Sequence, residues 1–473
     1  MKVLFLHENN LEESLGIANL SAVLSSQGHI CDVLIQNAEG RNFLKKIKIL
    51  CPDIIAFSCS TGRQVWANRI SGEIKNFLNV LTIMGGIHPT IYRDEAIEEE
   101  HIDIICVGEG EYPLLELANR REKKQDITDI RNLWVKAGKA TFRNDLRELN
   151  DINSLPFPDR SLYYKYSYNR NIPVKRFIST IGCPFLCSFC QNHLLQELYK
   201  NKGAYIRRKA VERVISEVLY VKERYPLELV HFSDDIFAID KSWLEDFSRS
   251  YKKIIRLPFN CNTRISCLDE DTVRLLKESG CHAVSFGLES GNDFLRNKIV
   301  LKGISNEEIL EKTAILKKYK IKILTSNMIA LPQESIANAY ETVQLNRRIR
   351  ADYMRIFVAR PYKGTELFEY GKSHRLLHNR ALDAKNFETL DNVYFKTNCE
   401  NEFKNLRYLF YLIVKFPALE KISRILIELP FSKIYKLLFF ITNTIQEKSY
   451  FKVRFSKGVF LCLSIIKGYG RHY

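Results

Sequence analysis

Cys183-Pro184-Phe185-Leu186-Cys187-Ser188-Phe189-Cys190 is the segment of this chain best equipped for chemistry. Three thiols spaced CxxxCxxC on one loop can fold around one corner of an iron–sulfur cube, each thiolate holding one iron. Three ligands for four irons leave one iron open to chelate another molecule, as inner-sphere electron transfer requires. Zinc competes with this reading, because His193 lies three residues past Cys190 and would complete a Cys3His set. Structural zinc sites, however, usually join two separated ligand pairs, and no second CxxC or HxxxH accompanies this one. The remaining cysteines (Cys31, Cys51, Cys59, Cys106, Cys261, Cys267, Cys281, Cys399 and Cys462) are scattered and read as small buried hydrophobes.

A loop of this kind must be carried by a strand, and the surrounding pattern supplies several. From 173 to about 365 the strand candidates are Phe177–Ile181, Leu229–Phe232, Phe259–Thr263, Ala283–Gly287, Ile323–Ile329 and Met354–Val358. Helical patterns such as Arg208–Arg224 and Asn306–Tyr319 fill the gaps. Six βα units predict a barrel or part of one, with its chemistry at the carboxyl ends of the strands. Ser233-Asp234-Asp235, Arg264 and Glu289-Ser290 fall at such ends. For Asp234 and Asp235, capping of the following helix is an equal alternative.

The first third of the chain also alternates. Val3–Leu6, Val33–Ile35, Ile54–Ser58, Leu81–Met84 and Ile104–Val107 are apolar runs, and Gly16–Gln27 is a helical pattern closed by Gly28. Runs apolar on both faces predict parallel strands covered on both sides, hence a doubly wound sheet with a ligand crevice beyond its carboxyl ends. The loops there are Ser58-Cys59-Ser60-Thr61, Gly85-Gly86-Ile87-His88-Pro89 and Gly108-Glu109-Gly110-Glu111. Taken alone, their glycines are more often simple turns. Leu133–Phe142 reads as a hairpin turning at Gly138, and the prolines of Leu155-Pro156-Phe157-Pro158 break any regular pattern. The expected organisation is an α/β domain over 1–144, a linker over 145–172, a barrel over 173–370 and a helical extension over 371–473.

The cysteine motif, with aromatic Phe189 before its last cysteine, resembles that of the radical S-adenosylmethionine (SAM) superfamily. The resemblance extends to the subgroup with an N-terminal cobalamin-binding domain. Met84-Gly85-Gly86-Ile87-His88-Pro89-Thr90 and Val107-Gly108-Glu109-Gly110-Glu111 are similar to that domain's loops. Phe232-Ser233-Asp234-Asp235, Asn262-Thr263-Arg264, Gly287-Leu288-Glu289-Ser290-Gly291 and Pro361-Tyr362-Lys363-Gly364-Thr365 follow the family's order. So many collinear blocks, over about residues 1–370, leave little room for a chance zinc site.

The resemblance implies a Rossmann-like cobalamin-binding domain, a partial (β/α)6 barrel and an α-helical C-terminal extension. It implies that Cys183, Cys187 and Cys190 hold a 4Fe–4S cluster whose open iron binds SAM. Phe189, Asp234, Asp235, Arg264 and Glu289 are the implied SAM contacts. Ser58, Gly85, Gly86, His88, Gly108, Glu109 and Gly110 are the implied cobalamin contacts. The implied activity is cleavage of SAM to a 5′-deoxyadenosyl radical and cobalamin-dependent methylation of an unactivated carbon. Other members oxidise or cyclise, and a binding sensor without turnover is the non-enzymatic alternative. Two departures stand out. No DxHxxG is present to give cobalt a lower histidine ligand, and His7 and His88 are poor substitutes. Ala330 and Gln333 replace glycines usual in the segment Met328-Ile329-Ala330-Leu331-Pro332-Gln333.

Composition bounds the rest. The chain has 473 residues, 46% of them apolar and 27% charged, enough to build real cores. Twelve cysteines are too few for a disulfide scaffold. No apolar run reaches the roughly 18 residues needed to cross a bilayer, and Glu8, Glu12 and Glu13 argue against a secretory leader. A cytoplasmic location is therefore expected. The net charge is +16, from 71 Lys+Arg against 55 Asp+Glu, and residues 401–473 hold 13 cations against 4 acids. Aromatics interleave with those cations, as in basic amphipathic helices at a membrane surface, or in a helical cap whose cations face water. No RNP or KH pattern accompanies them, so no nucleic-acid partner is expected. The expected partners are a small-molecule, lipid or peptide substrate and an electron donor of the flavodoxin or ferredoxin kind.

Overall fold

The structure is a computed structural model that describes residues 1–9, 13–388 and 391–452. Val459–Ile466 and Cys462, counted above among the apolar runs and buried cysteines, lie outside the described residues.

The N-terminal strands are β1 (Lys2–His7), β2 (Ile30–Ile35), β3 (Ile54–Ser58), β4 (Leu81–Gly85) and β5 (Ile104–Cys106). All pair in parallel in the order β2-β1-β3-β4-β5, with helices on both faces. Two separate apolar clusters, one on each face, account for the uninterrupted apolar runs. The hairpin β6 (Leu133–Ala137) and β7 (Ala140–Arg143) adds antiparallel to β5 and turns at Gly138, whose φ is +62°. The order reverses between β1 and β3, so the crevice that binds ligands in doubly wound sheets lies above these strands.

The second sheet is a six-stranded, all-parallel half-barrel. Its strands are β8 (Val174–Phe177), β11 (Leu229–Phe232), β12 (Phe259–Asn262), β13 (Cys281–Glu289), β14 (Lys322–Ile329) and β15 (Tyr353–Val358), in the order β15-β14-β13-β12-β11-β8. Its first strand lies earlier than the apolar pattern suggested. Thr180–Ile181 (β9) instead pairs antiparallel with Arg207–Arg208 (β10), outside the barrel. Lys175 and Arg176 interrupt the apolar run of β8 and hide it from a periodicity reading. Lys175 is nevertheless buried, its ammonium donating to the carbonyls of Asn169 at 2.6 Å and Arg170 at 3.2 Å.

The segment over 145–172, expected as a linker, is packed rather than free. Leu162, Tyr163 and Tyr164 join the core of the first sheet. Arg160 is buried between the two halves, bonded to Glu13 and Glu217 and 4.5 Å above the Phe177 ring. The C-terminal extension is helical, with Glu400–Lys415, Leu419–Leu426 and Ser432–Tyr450 as its main elements. Glu400–Lys415 packs on β15 and on the Ile336–Arg348 helix, covering the last barrel strand. The end of Ser432–Tyr450 closes the amino-terminal end of the barrel. There Tyr450 packs with Ala283, Leu324 and Tyr353, and the Asn260 amide donates to its carbonyl at 2.9 Å. No helix among the described residues is long and apolar enough to cross a membrane.

Candidate active site between two cofactor pockets

The cysteine loop leaves the carboxyl end of β8 and is fixed from several sides. The Gly182 amide, in a left-handed conformation (φ +95°), donates to Asp235 Oδ2 at 2.9 Å. Ser188 donates from its amide to the Val300 carbonyl (3.0 Å) and from its hydroxyl to that of Ile299 (2.6 Å). The Gln196 amide donates to the Cys183 carbonyl. Burial pushes the Cys183 thiol up to about 11 and raises that of Cys190 as well. The Arg264 guanidinium, 3.5 Å from Cys187 Sγ and stacked 4.0 Å over Phe185, is the cation placed against this loop. Among the described residues no three His, Cys, Asp or Glu side chains converge on a single point. A single ion needs that convergence. A cluster takes each sulfur at a different iron and asks only that the three thiols share one loop, which they do.

The other barrel candidates divide in two. Asp234 is buried and spent on the loop's root, accepting from the Ser179 amide at 2.6 Å and from the Ser179 hydroxyl. Burial lifts its carboxyl to about 6, even though the Ser179 bonds pull the other way. Asp235 is exposed, and its Oδ2 accepts from the Gly182 amide of the loop. Neither carboxylate caps the next helix; Asp240 does that, accepting from the Trp243 amide at 3.1 Å. Glu289 is buried at a bulge with φ +66° and pairs with Lys302 at 2.9 Å. Lys302 also gives its carbonyl to Arg264 and lies 6.0 Å from the Phe189 ring, so one lysine ties together three of the expected SAM contacts. Sequence reasoning missed it, because an isolated lysine carries no local signal of burial.

In the first domain a cavity of about 200 Å³ opens at the carboxyl ends of the strands. Ser58, Gly85, Gly86, Gly108, Glu109 and Gly110 line it, with Ile17, Leu20 and Leu114 as its apolar wall. His88 does not; it is buried beneath the loop, stacked on Tyr92 at 5.1 Å. His7 faces away too, with Nε2 2.7 Å from the Tyr163 hydroxyl. Burial lowers both histidines to about 4. Two glycines are needed where they stand. Gly86 has φ +98°, and a Cβ there would lie 2.9 Å from the Cys59 carbonyl. Gly108 has φ +81°, and a Cβ there would strike the Tyr199 hydroxyl. These two glycines let their loops pack on Cys59 and Tyr199, and the cavity between is lined by glycine-rich loops and by aliphatic side chains, a lining that suits a corrin ring.

Groups the sequence did not single out, Arg207 and Tyr199, hold one of these lining residues in place. Glu109 accepts from Arg207 at 2.5 Å and from the Asn150 amide at 2.8 Å, and its own amide donates to the Tyr199 hydroxyl at 2.7 Å. Burial and the neighbouring Glu109 push Glu111 up to about 7. Arg207 and Tyr199 belong to the cysteine-loop half of the chain, so the first domain's cavity and that half are joined through Glu109.

Comparison with known proteins agrees with this geometry. The Radical SAM superfamily profile matches residues 177–345, and that of the B12 binding domain matches 1–118. The chain thus carries a radical SAM domain behind a B12-binding domain. It is an enzyme whose radical SAM domain works with a 4Fe–4S cluster and SAM, and whose B12-binding domain takes cobalamin. It is 28% identical to an uncharacterized methyltransferase of Pyrococcus horikoshii, over 80% of this chain and 82% of that one. The fold is shared with the cobalamin-dependent SAM radical enzyme OxsB, at a TM-score of 0.71 and 15% identity, over 99% of this chain and 75% of that one. It is shared as well with the radical SAM methyltransferase TsrM of Kitasatospora setae, at 0.66 and 16%, over 79% and 78%.

Proposed function

We propose that this radical SAM enzyme is a cobalamin-dependent methyltransferase acting on an unactivated carbon of a small-molecule, lipid or peptide substrate. One observation carries the reading. The Asn192–Leu198 helix that follows Cys190 ends on Tyr199, which receives the Glu109 amide of the cobalamin pocket. The cluster loop and the cobalamin loop are thus two ends of one short, hydrogen-bonded connection. A sensor would not need its cobalamin pocket fixed beside a cluster. An enzyme moving a methyl group between two cofactors and a substrate does.

When bound, the cluster supplies one electron to cleave SAM, and cobalamin supplies a carried methyl group. The chain's own residues do the rest. Cys183, Cys187 and Cys190 hold the cluster, with Arg264 against Cys187 to offset its negative charge. Asp235 offers a carboxylate to the SAM ammonium, while Asp234 fixes the loop that presents it. Lys302 orients Glu289 toward ribose hydroxyls. Gly86 and Gly108 shape the loops that would hold the corrin, and no histidine among the described residues lines that cavity. The electron donor is a small redox protein of the flavodoxin or ferredoxin kind.

Anaerobic, reconstituted protein incubated with SAM and a reductant should release 5′-deoxyadenosine and S-adenosylhomocysteine together. Release of 5′-deoxyadenosine without S-adenosylhomocysteine would assign the oxidising or cyclising chemistry instead. Failure to release either from wild type, or continued release from Cys187→Ala, would remove the radical assignment.

A further inference from the structure

The last helix of the described chain carries apolar residues on both of its sides. A helix on a soluble surface turns its apolar stripe inward and its polar side to water. On Ser432–Tyr450, Tyr435, Leu438, Phe439, Thr442, Gln446 and Tyr450 face the protein, yet a second set, Lys433, Ile434, Leu437, Ile441 and Ile445, is exposed. The four aliphatic residues are spaced three and four apart, on one side of the helix, and are 49–61% exposed. Ile422 and Ile425, 54% and 64% exposed, continue the pattern on the preceding Leu419–Leu426 helix. The stripe from 434 to 445 is about 16 Å long. Nothing among the described residues covers it.

Charge identifies what does. Lys421, Arg424 and Lys433 stand exposed beside the apolar positions, and between 415 and 450 Glu428 is the single exposed acid. A second copy of the chain would set these cations against their own equivalents around a two-fold axis. A bilayer with anionic headgroups takes both parts at once, aliphatic side chains at the acyl boundary and cations at the phosphates.

We propose that these two helices form a docking face for an anionic lipid bilayer, lying in the interfacial plane without crossing it. The face is rigidly tied to the barrel. Gln446 accepts from the Met354 amide at 2.8 Å, Glu447 pairs with Arg355 at 3.0 Å, and the Ser449 and Tyr353 hydroxyls are 3.1 Å apart. Docking would therefore orient the whole catalytic half relative to the membrane and leave the cysteine loop at the opposite end of the barrel.

The test is flotation of full-length protein with vesicles of phosphatidylcholine containing about a third phosphatidylglycerol, against phosphatidylcholine alone. Wild type should float with the anionic vesicles, far less with the neutral ones, and lose binding at high salt. Leu437→Glu with Ile441→Glu, both exposed and so not needed for folding, should weaken binding by about a hundredfold while leaving the cluster content and circular dichroism unchanged. Lys421→Ala with Lys433→Ala should cost roughly thirtyfold and weaken the preference for phosphatidylglycerol by as much. The proposal is overturned if wild type does not float, or if either variant floats as wild type does. It is equally overturned if light scattering shows a wild-type dimer that Leu437→Glu with Ile441→Glu makes monomeric, since the face would then join two copies of the chain.

Discussion

Arg207→Met is the sharpest test of the connection between the first domain's cavity and the cysteine-loop half. Arg207 Nη2 lies 2.5 Å from Glu109 Oε1, and the two side chains are only 12% and 22% exposed. Its Nη1 also donates to the Asn150 carbonyl at 2.6 Å. At an effective dielectric of about 20 the gross attraction across 2.5 Å is about 7 kcal/mol. Desolvation of both groups and the ordering of two long side chains return most of that. Removing one partner of such a pair should then cost about 2–3 kcal/mol, most of it from leaving Glu109 half-buried without its cation. A second effect follows, because Arg207 also holds Glu111 down; without it that carboxyl titrates still higher than about 7. The assay is urea unfolding of Arg207→Met, Glu109→Ala and the double variant, near pH 7.5, followed by intrinsic tryptophan fluorescence. The cycle should return a coupling energy of at least about 1 kcal/mol. If the two single effects add to within about 0.5 kcal/mol, the pair does not connect the domains and the reasoning fails.

Gly86→Ala puts a Cβ 2.9 Å from the Cys59 carbonyl, so reconstituted protein should retain at least tenfold less cobalamin, with its iron content unchanged. Gln333 and Ala330 have φ of +64° and +56°. Gln333→Gly should raise stability by about 1 kcal/mol, whereas Ala330→Gly should leave it nearly unchanged, because the methyl it removes is buried and offsets the relief of strain. Glu111 keeps its proton up to about 7 in the native state but loses it near 4.5 when unfolded. The native state therefore binds more protons across that window, and stability falls as pH rises through it; Glu111→Gln should flatten the fall in thermal midpoint measured between about pH 5 and 8.

The parts legible in the sequence were those whose chemistry is local. CxxxCxxC, the paired glycines and the apolar runs each announce themselves within ten residues. What stayed hidden depends on partners far along the chain. Glu109 was read as a cobalamin contact, but its role as a junction needs Arg207, 98 residues away. Lys302 and Lys175 are buried cations, and a lone lysine in sequence argues for surface. The prolines near 156 and 158 suggested a tether, yet the tyrosines that follow them bury against the first sheet and lock it in place. Asp234 and Asp235 are neighbours in sequence with opposite fates, one buried in the loop's root and one exposed, because successive residues after a strand point to different sides.

The basic C-terminal segment shows the same dependence on tertiary context. Counted by sequence it is one patch of positive charge, but the fold sorts its cations into two sets. Arg407 is buried, paired with Asp391 and 5.0 Å from the Phe439 ring, and Lys436 reaches the same carboxylate at 3.3 Å. Lys415 gives its ammonium to the Ala351 carbonyl. These charges hold the extension onto the last barrel strand, and half-exposed Arg424 joins them by lying 4.3 Å over the Tyr340 ring, whereas Lys421 and Lys433 face outward. Deleting the extension would strip the cover from β15 and uncover Asn260 and the Met354 amide at the barrel floor. A truncated protein that failed to bind vesicles would then report a damaged barrel as readily as a lost docking face. Substitution on the outer face, with the inner pairs intact, separates the two contributions.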